Sequence, residues 1–325
     1  MNVHGHPANT GARRDDDDEI RQARAYLMSI TEPPGHALRA FVQMVGPIEA
    51  AMRVRDGTAP SCVIDEATPR TAHHRMVPVS EQFACASAAD ARLLIPEDPD
   101  WPAEALRPLT TTHEDPHRHG VPLGLWVRGT ADLGHALTCA ISIVGARAAT
   151  EYGAQVATEF GHDLAKLGAV IVAGTGHGID AAAHRGAHAA LGSTIAVLAN
   201  GIAVTHPHSN GPLIDQIADS GLVISEYPPT AQPTRRRHHL ARRLIAGATG
   251  GLVVVESLRR RGPVDAAATA CALGRPVMVV PGPITSVMSS GCLELLRHGQ
   301  AVAVGSAEHV WQTCGFPVAP GSRSE

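Results

Sequence analysis

The spacing of apolar positions changes along the chain. Over residues 20–56 they recur at helical intervals, with Ile20, Leu27, Leu38, Phe41, Val42 and Val45 as the fixed points. Pro33-Pro34-Gly35 interrupts that spacing and predicts a hairpin of two helices. Residues 57–90 are rich in Thr, Pro and His and show no clear period, so an irregular linker is expected. Residues 93–128 predict Pro-rich connections and one short strand, Leu125–Val127. From Ile141 onward apolar runs of strand length recur: Ile141–Val144, Ala169–Ala173, Thr194–Leu198, Leu222–Ile224, Leu252–Val255 and Val277–Val280. Stretches of helix length separate them. In one, Val156, Phe160, Leu164 and Leu167 fall on a single face. Strands apolar on both faces belong in a sheet covered on both sides. The expected fold class is therefore α/β: an extended, Rossmann-like, doubly wound, mostly parallel sheet preceded by a small helical domain. The predicted divisions are an acidic, disordered tail (1–19), a helical domain with linker (20–90), the Rossmann-like domain (91–315) and a short tail (316–325).

Composition sharpens this picture in two places. Aromatic residues make up only 3% of the chain, so the core must be built from Ala, Val, Leu and Ile. The formal net charge of −4 weighs against a nucleic-acid binder, but the average hides local patterning. Between Arg235 and Arg261 lie eight arginines and one acid, Glu256. The only lysine is Lys166, a skew expected of a high-GC genome. The six cysteines form no C-x-x-C pair and read as small buried or neutral residues. No signal-like apolar core and no apolar run of about 18 residues occurs, so a soluble, cytoplasmic protein with no membrane association is expected.

Ligands of doubly wound sheets bind at the carboxyl ends of the strands. Two glycine-bearing loops fall there. One strand ends at Gly145, and Arg147 follows before a helix; amides and a guanidinium there can hold an anion. The competing reading is a surface arginine after a turn. The strand ending at Ala173 runs into Gly174, Thr175, Gly176, His177 and Gly178, where missing side chains let a phosphate approach the backbone. A dinucleotide fingerprint is a poor match: position 179 is Ile, and the next strand leads to Ala199-Asn200 rather than an acid. Asp180, His184 and His188 share one helical face, but no cysteine or second acid completes a metal site, and packed histidines are the simpler reading. Arg235, Arg236 and Arg237 with Arg242 and Arg243, and then Arg259, Arg260 and Arg261, form two basic clusters able to follow a phosphate backbone, or else a solvated face. No nucleophile, base and orienting group come together as a catalytic set.

Taken in order, these segments resemble the DNA-processing protein A (DprA/Smf) family. Ile143-Val144-Gly145-Ala146-Arg147 resembles its I-V-G-S-R, and the segment from Gly178 to His184 matches its G-I-D-A-A-A-H. Ser225-Glu226-Tyr227-Pro228-Pro229 matches S-E-Y-P-P. Leu244–Gly247, Val253–Glu256, Ala272–Arg275, Val280–Ile284 and Ser290–Leu296 follow with the right spacing. The likeness covers residues 141–311, with a lead-in at Pro122–Gly129 and a small helical domain, of the SAM or helix-hairpin-helix kind, at 20–52. It implies a non-catalytic protein without cofactor or metal that binds single-stranded DNA, loads the RecA recombinase in natural transformation, and forms homodimers. The strand-binding set it implies is Gly145, Arg147, Gly174, Gly176, His177, Gly178, Arg242 and Arg243, with Arg260 and Arg261 added by charge. Asp180, His184, Glu226 and Glu256 are supporting motif residues. The chain departs from the family at Ala173, at Arg242 in place of an Asn, at Ala241, and at Arg261–Ala267, where a Ser and a Thr are lost. Few residues follow Trp311, so no winged-helix module is expected. A nucleotide-processing phosphoribohydrolase and a paralogue with weakened DNA binding stay as alternatives.

Overall fold

The computed structural model describes residues 10–67, 77–110, 115–259 and 262–317. Five helices come first: α1 (Thr10–Ile30), α2 (His36–Val45), α3 (Pro47–Arg55), α4 (Ser61–Ala67) and α5 (Val79–Ala88). The sheet and its helices follow: β1 (Ala91–Leu94), α6 (Ala103–Leu106), β2 (Leu125–Arg128), α7 (Leu133–Ala136), β3 (Ala140–Val144), α8 (Glu151–Lys166), β4 (Val170–Ala173), α9 (Ile179–Ala189) and β5 (Thr194–Val197). Then come α10 (Gly211–Ser220), β6 (Leu222–Ser225), α11 (Arg235–Gly247), β7 (Gly251–Val254), α12 (Gly262–Ala272), β8 (Val277–Val279), α13 (Ser290–Arg297), β9 (Val302–Ala303) and α14 (Ala307–Thr313).

The strands form one sheet in the order β1-β2-β6-β5-β4-β3-β7-β8-β9. The β1/β2 and β2/β6 pairings are antiparallel; every pairing from β6 to β9 is parallel. The chain winds outward from β3 through β4, β5 and β6, then returns to the other side of β3 with β7. The crevice between β3 and β7 is thus the topological switch point, where such sheets bind their ligands.

Both sheet faces are covered, as the continuous apolar strands require. Leu125, Val127, Ile195, Ile224, Leu252 and Val254 pack one face against α11 and α12 through Leu244, Ile245, Ala266 and Ala270. On the opposite face Ile141, Ile143, Ile171 and Val253 meet α8 and α9 through Phe160, Leu164 and Ala183. The first helices cover the rest of that face. Leu27, Leu38 and Phe41 share a core with Leu93, Trp126 and Val223, so this part of the chain is not packed on its own. Arg24 strengthens the join, donating to Glu97 and to the Leu123 carbonyl at 2.7 Å each.

Three expectations need correction. Residues 57–90 contain two helices, α4 and α5, instead of an irregular linker. They are short and bury few points (Val63, Ala67 and Ala86 among them), too few to establish a period. The acidic run belongs to α1, with Asp16 to Glu19 exposed on it. Once residues 23–30 are buried, extending the helix toward its start avoids the cost of nucleation. Strands β1 and β9 were not expected; they lie at the two sheet edges, and both residues of β9 are exposed. Residues 1–9 and 318–325 lie outside the described residues.

Helix α11 is fastened by charge as well as by packing. Arg243 and Glu226 are both buried and form a two-pronged ion pair, one prong at 2.5 Å and the second from Nη2 to Oε1. Arg243 also donates from Nε to the Gly120 carbonyl at 3.1 Å. Burial works against the charged guanidinium, but the Glu226 charge and its hydrogen bonds outweigh it and raise the pKa of Arg243. Glu226→Gln or Arg243→Met should each destabilise the fold by roughly 3–5 kcal/mol, because each strands a buried charge. The joint replacement Glu226→Leu with Arg243→Met should recover most of that loss. Equilibrium denaturation of the three variants decides; additive losses in the double variant would show that the pair is not coupled.

Candidate functional site

A cleft of about 570 Å³ opens at the switch point. Its floor is Gly145 to Ala148 after β3 and Gly174 to Gly176 after β4; one wall is α11, presenting Arg235, His238, Ala241, Arg242 and Ile245. Ser257 and Leu258 after β7, with Gly262 and Pro263 at the start of α12, close the far side.

Glycine is needed in the floor because two loops are pressed together. A Cβ on Gly145 would lie 2.4 Å from Ile179 Cγ1. Gly178 has φ +73°, and a Cβ there would sit 2.3 Å from the Ala146 carbonyl oxygen. Asp180 fills the space beneath the glycine loop: a Cβ on Gly174 or Gly176 would come within 2.8 or 3.0 Å of its Oδ2. The loop carbonyls are held from behind. Asn210 Nδ2 donates to the Thr175 carbonyl at 3.0 Å and to that of Gly176 at 3.3 Å. His184 bridges Thr194 Oγ1 (2.6 Å) and the Gly174 carbonyl (3.0 Å). Among the described residues, no backbone carbonyl accepts from the N–H groups of Thr175, His177 or Gly178. This pattern, carbonyls occupied and amides open beside a helix start, suits an anion.

The electrostatics agree. Arg147 is exposed and forms no ion pair among the described residues, and its charge acts on Arg242 across the cleft. Burial lowers the pKa of Arg242 against the pull of Asp265, and Arg147 lowers it further. Helix α11 begins with Arg235, Arg236 and Arg237 and has no acid in its first turn. Cations at a helix N-terminus oppose its dipole, so this arrangement costs stability unless an anion comes. His238 is driven down to about 4 by burial, with Arg147 and His206 adding to it; its ring centroid is 5.8 Å from that of His206. Asp180 is driven up to about 6 by burial, against the Gly176 hydrogen bond and the charges of Arg147 and Arg242.

The structure separates the sequence-predicted residues into groups. Gly145, Arg147, Gly174, Gly176, Arg242 and Asp180 line the cleft. Gly178 sets the turn behind it, and His177 is exposed on the rim, 3.3 Å from Ser209 Oγ. Arg243 does not line the cleft; its guanidinium is spent on Glu226. His184, expected as a supporting residue, is a buried brace: burial lowers its pKa to about 4. Glu256 caps α8, accepting from the Thr150 amide (2.9 Å) and hydroxyl (2.6 Å). Arg260 and Arg261 lie outside the described residues. Among the described residues, no group of three His, Cys, Asp or Glu side chains is placed to hold a metal. Sequence reasoning missed Asn210, His206 and Asp265. His206 and Asn210 carry no motif and reach the loop from more than thirty residues away.

The floor gives a direct test. Gly178→Ala combines positive φ with a backbone clash and should cost roughly 2–4 kcal/mol. Gly168→Ala, with φ +96° but nothing within 4 Å of the new Cβ, should cost only about 1 kcal/mol. Equal losses in thermal denaturation would refute the packed-loop account.

Comparison with known proteins fits this geometry. Residues 92–315 match the family described as DNA recombination-mediator protein A. A Mycobacterium tuberculosis relative, named as a DNA processing protein DprA, is 38% identical over 314 residues, covering 94% of this chain and 79% of that protein. The X-ray structure of DNA processing protein A from Streptococcus pneumoniae superposes with a TM-score of 0.70 at 26% identity, over 90% of this chain and 97% of that one. A Helicobacter pylori DNA processing protein A, described for its single-stranded DNA binding mode, superposes with a TM-score of 0.57 at 26% identity, over 69% of this chain and 94% of that one. The chain belongs to the DNA recombination-mediator protein A (DprA/Smf) family.

Proposed function

We propose that the protein binds single-stranded DNA without sequence preference in the cleft at the switch point, and that in the cytoplasm it passes the strand to the RecA recombinase during DNA uptake and recombination. The observation that carries this reading is the convergence of cationic charge from Arg147 and Arg235, neither in an ion pair among the described residues, on a glycine loop whose Thr175, His177 and Gly178 amides meet no backbone carbonyl there. The Helicobacter pylori relative, described as a single-stranded DNA binder, supports it. The RecA contact and a homodimer, both implied by the family resemblance, are part of the proposal. The cleft lining has no Phe, Tyr or Trp, so phosphate contacts rather than base stacking should supply the affinity.

Binding should then be governed by counterion release. In an anisotropy titration of labelled oligothymidylate, Arg147→Ala should weaken binding about ten- to a hundredfold at low salt and flatten the salt slope by about 0.7. An unchanged affinity or a salt-independent one would sink the reading. Affinity should also rise as pH falls from about 8 to about 5.5. Asp180, raised to about 6, loses a negative charge in that range. Losing that charge favours an anion, so binding should take up protons; proton release measured by calorimetry would contradict this.

One observation favours a second reading. Asp180 is a carboxyl of raised pKa beside a phosphate-suited loop, as a nucleotide-processing enzyme would need. Release of free base from a nucleoside monophosphate, abolished in Asp180→Asn, would put that reading first.

A further inference from the structure

Cationic and titratable groups do not stop at the cleft. Arg242 Nη1 is 3.4 Å from His239 Nδ1 on the outer side of α11. The rings of His239 and His117 are 6.3 Å apart, and those of His36 and His119 are 4.4 Å apart. His36 belongs to α2, while His117 belongs to the loop before β2. These groups therefore form a line across the seam between the first helices and the sheet domain. The seam is built: Gly120 has φ +109°, and a Cβ on it would lie 2.5 Å from Pro34 Cβ and 3.1 Å from His36 Cε1.

Arg39, also on α2, sits at this seam close enough to Arg243 to feel its charge. It forms no ion pair among the described residues, and its buried Nε has no hydrogen-bond partner. The buried Nδ1 of His117 has none either. Exposed Arg236 bears on His117 from α11. The neighbouring acids among the described residues are already engaged. Glu226 is taken by Arg243 and Glu32 by Arg237. Asp115 accepts from Arg118 and the His117 amide, and Glu66 accepts from the Leu38 amide. Asp265 is shared between Arg242 (3.3 Å) and His239 (3.9 Å). A half-buried guanidinium without a counter-charge among the described residues is costly unless an anion fills the gap.

We infer that the seam is a second phosphate subsite, formed by Arg39, His36, His117, His239 and Arg236, and that a single strand leaving the cleft crosses α11 to occupy it. This rests on the reading of the cleft as a strand-binding site and extends that site to the first helices. It gives an occupation to Arg39, which has no ion pair among the described residues. It also predicts that the strand's path has a length: short strands fill the cleft, and longer ones reach the seam.

The experiment is a ladder of oligothymidylates from about 5 to about 30 nucleotides. Each is titrated against the full chain, Arg147→Ala, the double variant Arg39→Gln with His117→Gln, and Arg236→Gln. For the wild type, affinity should climb with length beyond the gain expected from added start positions. The double variant should match the wild type on the shortest strands and lose about tenfold on the longest, with a salt slope shallower by about 0.7 for each phosphate lost. Arg236→Gln, an exposed change that cannot unsettle the core, should show the same length-dependent loss in smaller degree. Identical length dependence in wild type and Arg236→Gln, together with that in the double variant, would overturn the subsite. Pyrophosphate binding that the double variant loses, without any length dependence, would assign the seam to a small free anion and overturn the strand path. A failure of the cleft reading looks different: Arg147→Ala would then leave the shortest strands bound as before.

Discussion

Arg243 and Glu226 exchange two hydrogen bonds where neither ion can reach water. Desolvating both is expensive, and the pair repays that cost only while both partners stay in register. Mutual dependence of this kind fixes position more firmly than apolar packing, which tolerates sliding. It sets α11 against the end of β6. Arg242, the next residue back along the helix, is turned by about 100°. That rotation takes it out of the buried pair and into the cleft. The same guanidinium holds the Gly120 carbonyl and so fixes the loop beneath α2. The two anion-suited surfaces, cleft and seam, both depend on this one arrangement.

The family motif residues can be understood from this frame. Glu226 anchors α11, Glu256 caps α8, His184 braces the glycine loop and Asp180 fills the space under it. None of these needs to touch a ligand to be indispensable. They hold the loop carbonyls and helix starts in place so that amides and two or three arginines can face outward. A site for a flexible, repetitive polyanion requires this kind of rigidity. The ligand brings its own disorder, and preorganisation on the protein side limits the entropy lost on binding.

Much of this was legible in the sequence, for identifiable reasons. The parallel strands were readable because a doubly covered sheet leaves uninterrupted apolar runs such as Ile141–Val144 and Leu252–Val255. The cleft was readable because Gly145 and Gly174 end such runs. Charge was the harder quantity. The eight arginines counted between 235 and 261 are not eight free charges. Arg237 is held by Glu32, Arg243 by Glu226, Arg259 faces Glu294 at 3.5 Å, and Arg242 is shared with Asp265. Glu32 is more than two hundred residues from its partner, so no count along the chain could have removed Arg237 from the total. The opposite error hid Arg39, which looks like an ordinary surface arginine on an amphipathic helix until its half-buried place, with no ion pair among the described residues, is seen in three dimensions.

The same accounting explains how a chain of net charge −4 can suit a polyanion. Salt damps the field of the net charge beyond the screening length, about 8 Å at physiological salt. Within that length only local, unpaired charge matters. The acids Asp16 to Glu19 lie exposed on α1, whereas Arg147 and Arg235 lie at the carboxyl ends of the strands. Exposed acids elsewhere are screened from a strand in the cleft, while the low-dielectric walls around Arg242 strengthen the attraction there. Segregation of charge, rather than its sum, is therefore the property that suits the cleft to a polyanion.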